Sequence, residues 1–202
     1  MDPSALFKIG YGLYVLTSDA NGKDNGCIVN AAMQVTSAPN RIAVTVNKLN
    51  YTRDLIMAAD QFNLSVLDTS VPFEVFKHFG FQSGRDTDKF ADYSAVSRSE
   101  NGLLYLTEHS NAMISGKVIC KVDLDTHTMF IADVTDAMVL SDQPTVTYDY
   151  YQANIKPKPE APKKSGWRCK ICGYVYEGDV LPDDFTCPWC KHGPDDFERI
   201  EL

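Results

Sequence analysis

Four of the six cysteines stand in two CxxC pairs, Cys169-Lys-Ile-Cys172 and Cys187-Pro-Trp-Cys190, with fourteen residues between the pairs. A CxxC holds two thiolates on one tight turn, and two such turns facing each other make a tetrahedral four-sulfur site. The spacing points to a metal and leaves its identity open. Zinc would make this a structural ribbon or a nucleic-acid module, iron a one-electron redox centre. Trp167, Tyr174, Tyr176, Phe185, Trp189 and Phe197 crowd the same segment. A domain this small buries little core, so aromatic rings supplement the metal's stabilisation. They also keep water from the sulfurs, which helps to set a reduction potential. Gly173 permits a turn that aims amide N–H groups at thiolate sulfur. Cys27 and Cys120 lie in apolar runs and read as buried small hydrophobes.

The rest of the chain has to position this site and supply its partner. Of 202 residues, 44% are hydrophobic and 23% charged, and no apolar run is long enough for a membrane span. The start, "MDPSALFKIG", lacks the basic and apolar regions of a signal peptide, so a cytoplasmic location is expected. Residues 1–155 carry 11 Lys/Arg against 18 Asp/Glu, and residues 166–202 carry 4 against 8. Acidic surfaces release no counterions from a phosphate backbone, which argues against a nucleic-acid partner. Between them "KPKPEAPKKS" holds Pro157, Pro159 and Pro162 among four lysines. Such a segment favours extended polyproline-II geometry, and ten residues at about 3.1 Å each reach roughly 30 Å. The expected layout is therefore a domain over 1–153, a linker over 154–165 and a small domain over 166–202.

The larger domain reads as strand-rich. Gly12–Ser18, Gly26–Ser37 and Arg41–Lys48 are apolar, β-branched runs, and Asp19–Gly26 supplies hairpin turn chemistry. "NYTRDLIMAADQF" shifts to helical spacing with Leu55, Ile56 and Ala59 on one face, and "VPFEVFKHFGF" implies a second short helix ending near Gly80. Strand patterns return from Leu103 to Tyr151, ending in "TVTYDYY". Many strands with few helices predict a β-barrel, and neither GxGxxG nor a P-loop is present.

"WRCKICGYVYEGD…LPDDFTCPWC…DDF" resembles a rubredoxin, with Cys169, Cys172, Cys187 and Cys190 on the four ligands of a single iron. Gly173, Tyr174, Tyr176, Pro182, Phe185, Pro188 and Phe197 also fall on family positions. Two departures are a shorter loop between the pairs and Lys191 where the family usually has glycine, which bears on the N–H geometry at Cys190. Residues 6–150 resemble the flavin-reductase-like, FMN-binding split-barrel family, most specifically in "NAAMQVTS" and "SGRDTDKF". That resemblance implies a mainly β fold: an FMN-binding split β-barrel with short helices, plus a small rubredoxin-like metal-binding domain. The order of the two is the layout of high-molecular-weight rubredoxins.

A flavin mononucleotide needs donors for a dianionic phosphate, a polar edge for the ring carbonyls and apolar faces for the ring. Asn30, Gln34, Thr36 and Ser37 offer polar handles, although the block alone also fits a half-buried strand. The resemblance puts Asn30, Ala31, Thr36 and Ser37 along the ring and ribityl chain. Asn47, Lys48 and Thr52 open the first predicted helix, where Thr52 reads equally as a cap and where free amides and the dipole favour a phosphate. Ser83, Gly84, Arg85 and Lys89 form a loop with charge for that phosphate. His127 sits where many relatives have a histidine near the flavin, and a satisfied strand histidine fits it as well.

The resemblances together imply an oxidoreductase that passes electrons from NAD(P)H, directly or through a reductase, via FMN and iron to an acceptor such as a flavodiiron oxygen or nitric-oxide reductase. They also imply a homodimer. Two alternatives stay open at this point: a flavin reductase with an accessory metal domain, and a zinc-ribbon binding protein.

Overall fold

The computed structural model describes residues 2–157 and 165–201. The chain divides into two compact units at Lys156/Pro157. The proline-lysine segment of the expected linker falls largely on residues 158–164, outside the described residues.

Unit one is built on strands β1 (Tyr14–Ala20), β2 (Lys23–Val29), β3 (Ala32–Ser37), β4 (Asn40–Asn47), β5 (Gln61–Leu67), β6 (Val96–Arg98), β7 (Leu104–Leu106), β8 (Ser110–Leu124) and β9 (His127–Val139). Seven of them form one antiparallel sheet in the order β2-β1-β5-β8-β9-β4-β3, and β6 and β7 pair separately. Strands β2 and β3 are thus the two edges, yet only Asn30 and Ala31 separate them in sequence. A flat sheet with six gaps of about 4.8 Å would hold its edges about 29 Å apart. Three chain steps span about 10 Å. The sheet must therefore curl until its edges meet, which makes the split barrel, and the Ala31 carbonyl accepts from the Thr45 N–H on β4 at 2.9 Å.

This closure explains why the apolar run Gly26–Ser37 is two strands rather than the single one predicted. Asp19–Gly26 proves to be mostly strand, turning only at Asn21 and Gly22 with φ of 56° and 75°.

Strand β1 is covered on both faces because alternate residues point opposite ways. Leu16 joins Val44, Val46, Ile56, Phe62 and Phe130 in one core. Val15 joins Val71, Phe76, Phe79, Val146 and Tyr151 in the other. Helix α1 (Tyr51–Ala59) buries Leu55 and Ile56 as its periodicity predicts, but ends before Gln61. Asp60 adopts φ 56° there and its N–H closes on the Ile56 carbonyl, so β5 starts at once. Helix α2 (Phe73–Gly80) buries Val75, Phe76 and Phe79.

The predicted strand Thr145–Tyr151 makes only single bridges, Gly12 to Thr147 and Asp68 to Thr145. Thr147 instead caps a helical turn, α3 (Tyr148–Tyr150), which runs on as a π-helix to Ile155. The turn brings the Tyr151 ring to 4.5 Å from that of Phe76. Cys27 is buried as predicted, whereas Cys120 is exposed, at a register shift between β8 and β9. A bulge there disrupts the alternation on which the buried reading of Cys120 rested.

Unit two is a three-stranded antiparallel sheet in the order β11 (Val175–Glu177), β10 (Ser165–Cys169), β12 (Phe197–Glu201). Its core is Cys169, Leu181, Cys187 and Phe197, with Trp167, Tyr174, Tyr176 and Phe185 packed against them.

Candidate functional site

Strand β10 ends on Cys169, and the chain turns at once. The Gly173 N–H donates to the Cys169 carbonyl at 2.9 Å, and the Cys169 N–H to the Tyr174 carbonyl at 2.8 Å. The second pair repeats the turn: Lys191 N–H to Cys187 carbonyl, and Cys187 N–H to His192 carbonyl, both at 2.9 Å. Gly173 and Lys191 occupy the same place in the two turns, at φ 79° and 62°. Each turn leaves its first cysteine buried and its second half-buried.

All four Sγ atoms lie within 4.8 Å of one another, Cys169 to Cys190 at 3.6 Å and Cys172 to Cys187 at 3.5 Å. A metal about 2.3 Å from four tetrahedral sulfurs requires edges of about 3.8 Å, so the set fits a single ion. The nearby N–H groups of Tyr174 at Cys172, of Cys190 and Trp189 at Cys187, and of His192 at Cys190 favour the thiolate form. Burial opposes ionisation of Cys187, but the Cys190 and Trp189 N–H groups and the neighbouring thiols hold it down to about 6. At Cys190 the His192 N–H favours the thiolate, yet burial and three crowded sulfurs push the thiol up to about 12. Four thiolates this close repel one another, and a bound cation removes that repulsion.

The barrel offers two adjoining clefts. The first, about 320 Å³, is lined by Asn30, Ala31, Asn47, Asn50 and His127. His127 stands opposite Asn47 in the β4–β9 register, and its Nδ1 lies 2.8 Å from Thr126 Oγ1. The second, about 210 Å³, is lined by Asn25, Cys27, Tyr51, Ser83, Gly84 and Lys89. Asn50 lines both and stands just before α1. Amides facing the first cleft suit the carbonyl edge of a planar ring, and Lys89 in the lining of the second suits an anion, whereas Arg85 is not among the residues that line it.

Several predicted residues already serve the fold. Lys89 is buried and its Nζ donates to the Gly26 and Phe79 carbonyls at 2.9 Å each, tying α2 to β2. One of its three donors remains. Burial lowers its pKa, against the nearby Cys27. Thr52 is wholly buried and is not a cap: its hydroxyl accepts from Asn25 Nδ2 at 2.8 Å. Arg85 pairs with Asp54 and lies 5.1 Å from the Tyr51 ring, which Lys23 approaches at 4.8 Å. Lys48 pairs with Asp123 at 2.8 Å. Ser83 Oγ accepts from the Arg85 N–H at 3.1 Å.

Gln34, Thr36 and Ser37 do not line either cleft. Gln34 borders a separate cavity of about 450 Å³ beside Tyr14, Met33 and Ile42, and Thr36 Oγ1 donates to the Pro39 carbonyl on the exposed strand β3. Sequence reasoning missed Asn25, Asn50 and Tyr51. Asn25 looked like turn chemistry, but a Cβ on Gly84 would come within 2.0 Å of Asn25 Oδ1. Only glycine at 84 leaves Asn25 room to reach Thr52. Cys27 was read as core, and burial pushes its thiol up to about 11, although it borders the second cleft.

The Flavin reductase like domain family matches residues 6–157, and the Rubrerythrin, rubredoxin-like domain family matches residues 167–198. The chain is 38% identical to the High molecular weight rubredoxin of Moorella thermoacetica, over 99% of this chain and 100% of that one. It is 39% identical to the Ferric-chelate reductase (NAD(P)H) of Archaeoglobus fulgidus, over 78% of this chain and 93% of that one. The NADH:FAD oxidoreductase of Streptomyces globisporus shares the barrel fold, with a TM-score of 0.64 at 19% identity, over 71% of this chain and 84% of that one.

Proposed function

Because the chain belongs to the high molecular weight rubredoxin family, a flavin-reductase-like domain followed by a rubredoxin-like one, we propose that it carries electrons from NAD(P)H through FMN to iron and on to an acceptor. The chain is an oxidoreductase with a flavin and one four-cysteine iron as its cofactors. Flavin accepts electrons in pairs and releases them singly, whereas the iron takes one at a time. What the protein contributes is binding, orientation and exclusion of water.

In this reading the barrel spans 1–153, its last helical turn running on to Ile155, with a tether over 154–165 and the iron unit over 166–202. Asn30, Ala31, Asn47 and Asn50 hold the ring edge in the first cleft. Ser83, Gly84, Arg85 and Lys89 hold the FMN phosphate in the second, beside Thr52 and the free amides of the α1 N-terminus. His127 borders the ring. Gln34, Thr36 and Ser37 reach the flavin only from a second copy, and Lys48 only by leaving Asp123. A homodimer is supported by the edge strand β3, which exposes Met33 and Val35 beside the 450 Å³ cavity.

The donor is NAD(P)H or an NAD(P)H-dependent reductase. A flavodiiron protein is the proposed acceptor, the location cytoplasmic, and neither nucleic acid nor membrane a partner. No described helix is long and apolar enough to cross a membrane.

The convergence of four thiols in a chain that also carries the two adjoining clefts is the observation behind this reading. Its test is the visible spectrum of anaerobically purified protein during titration with NADH and NADPH. Flavin and ferric-thiolate bands that bleach together are expected. Iron that stays oxidised while flavin is reduced would sink internal transfer.

A further inference from the structure

The two metal-binding turns have the same hydrogen bonds and differ in the residue that follows the second cysteine. Gly173 takes φ 79° without penalty, because it has no Cβ. Lys191 takes φ 62° with a side chain, in a region where lysine is uncommon. That conformation closes the second turn as Gly173 closes the first: the Cys187 N–H donates to the His192 carbonyl at 2.9 Å, as the Cys169 N–H donates to the Tyr174 carbonyl at 2.8 Å. The His192 N–H then favours the thiolate of Cys190. The side chain of Lys191 is exposed, and among the described residues its ammonium has no hydrogen-bond or ion-pair partner. Lys170, on the first turn, instead donates to the Asp195 carbonyl at 3.0 Å. The rest of the unit is acidic: apart from Lys191, residues 166–202 hold 8 Asp/Glu against 3 Lys/Arg.

We propose that Lys191 sets the reduction potential of the iron, as a positioning residue through its backbone and as a fixed positive charge beside Cys190. Four thiolates outweigh the iron by one charge when it is oxidised and by two when it is reduced. A cation one residue from a ligand stabilises the more negative state, and so raises the potential. The His192 N–H, which follows from the turn at Lys191 and favours the charged sulfur, acts in the same direction. The two contributions separate by side chain, because a neutral residue of similar shape keeps the turn and removes the charge.

This inference rests on the iron reading, and the experiment separates the two. Iron-loaded full-length protein is compared with Lys191→Met, Lys191→Arg and Lys191→Gly by spectroelectrochemistry at low and high salt, and by the rate of iron loss to a chelator. The methionine variant is expected at a lower potential than the parent, with the gap shrinking as salt screens the charge. Arginine should stay near the parent. Glycine should match methionine in potential and lose iron more slowly, because it relieves the turn. Equal potentials in parent and methionine variant, or the same shift in the arginine and methionine variants, overturn the role of the charge. Iron loss from the glycine variant as fast as from the parent overturns the role of the backbone. A parent protein that binds zinc but never develops ferric-thiolate bands refutes the iron reading itself.

Discussion

In the metal unit the four cysteine sulfurs converge on one point, two of them inside the unit's small core, while in the barrel most of the proposed ligands are already employed in hydrogen bonds and ion pairs. Lys89 ties a helix to a strand, Thr52 receives Asn25, and Arg85 holds Asp54. The difference teaches where each site gets its order. The metal unit is completed by its ligand, whereas the barrel arranges its cleft through its own hydrogen bonds. Loss of a ligand should therefore unmake the first unit and only loosen the second.

Cys187→Ala should give the largest effect. It removes a wholly buried ligand from the core of the small unit, where on the order of 10 kcal/mol of metal-linked folding energy is at stake. Metal content and ferric-thiolate absorbance should vanish while flavin content is unchanged. Flavin lost in parallel would break the comparison.

Gly84→Ala tests the barrel's side. Its Cβ would displace Asn25, so about 1–3 kcal/mol of barrel stability and most flavin retention should go, with the metal intact. Thermal melting and cofactor analysis read both. Thr52→Val is gentler. It strips the acceptor from Asn25 Nδ2 in a fully buried place and should cost about 1–2 kcal/mol. A denaturant midpoint equal to the parent's would mean that Asn25 finds another partner.

The smallest effect is the acid response of the 83–89 loop. Burial works against the Asp54 carboxylate, but Arg85 and Arg53 outweigh it and hold its pKa below the usual carboxylate range. Its stabilisation is therefore complete above about pH 4 and lost as pH falls through the lowered folded value. The pair is partly exposed, which limits it to about 1 kcal/mol or less. Melting curves of the parent and Asp54→Asn between neutral and acid pH should converge at the acid end.

The same contrast governed what the sequence disclosed. Cys169, Cys172, Cys187 and Cys190 were legible because a CxxC is local: two residues of spacing determine one turn, and the turn determines the ligands. Even the left-handed position was readable at Gly173, though not at Lys191, where residue type argued the other way and the repeated hydrogen bonds prevailed. In the barrel, β4 and α1 could be read from their own periodicity. The break at Asn30–Ala31 could not, since it is imposed by the meeting of two sheet edges far apart in pairing order. Strand β5 was obscured because Asp60 joins it to α1 without a loop. Asn25 carried no local sign of its role, which exists only once Gly84 and Thr52 have come beside it.

The double covering of β1 has a consequence for hydrogen exchange. Val15 and Leu16 serve different cores, and β1 pairs with β2 on one side and β5 on the other. No local fluctuation exposes such a strand, so its amides should exchange with solvent deuterium only when the whole barrel opens. Strand β3, an exposed edge, should exchange first. The slowest amides of Tyr14–Thr17 would then report the global stability of the flavin-bearing unit, independently of any cofactor signal.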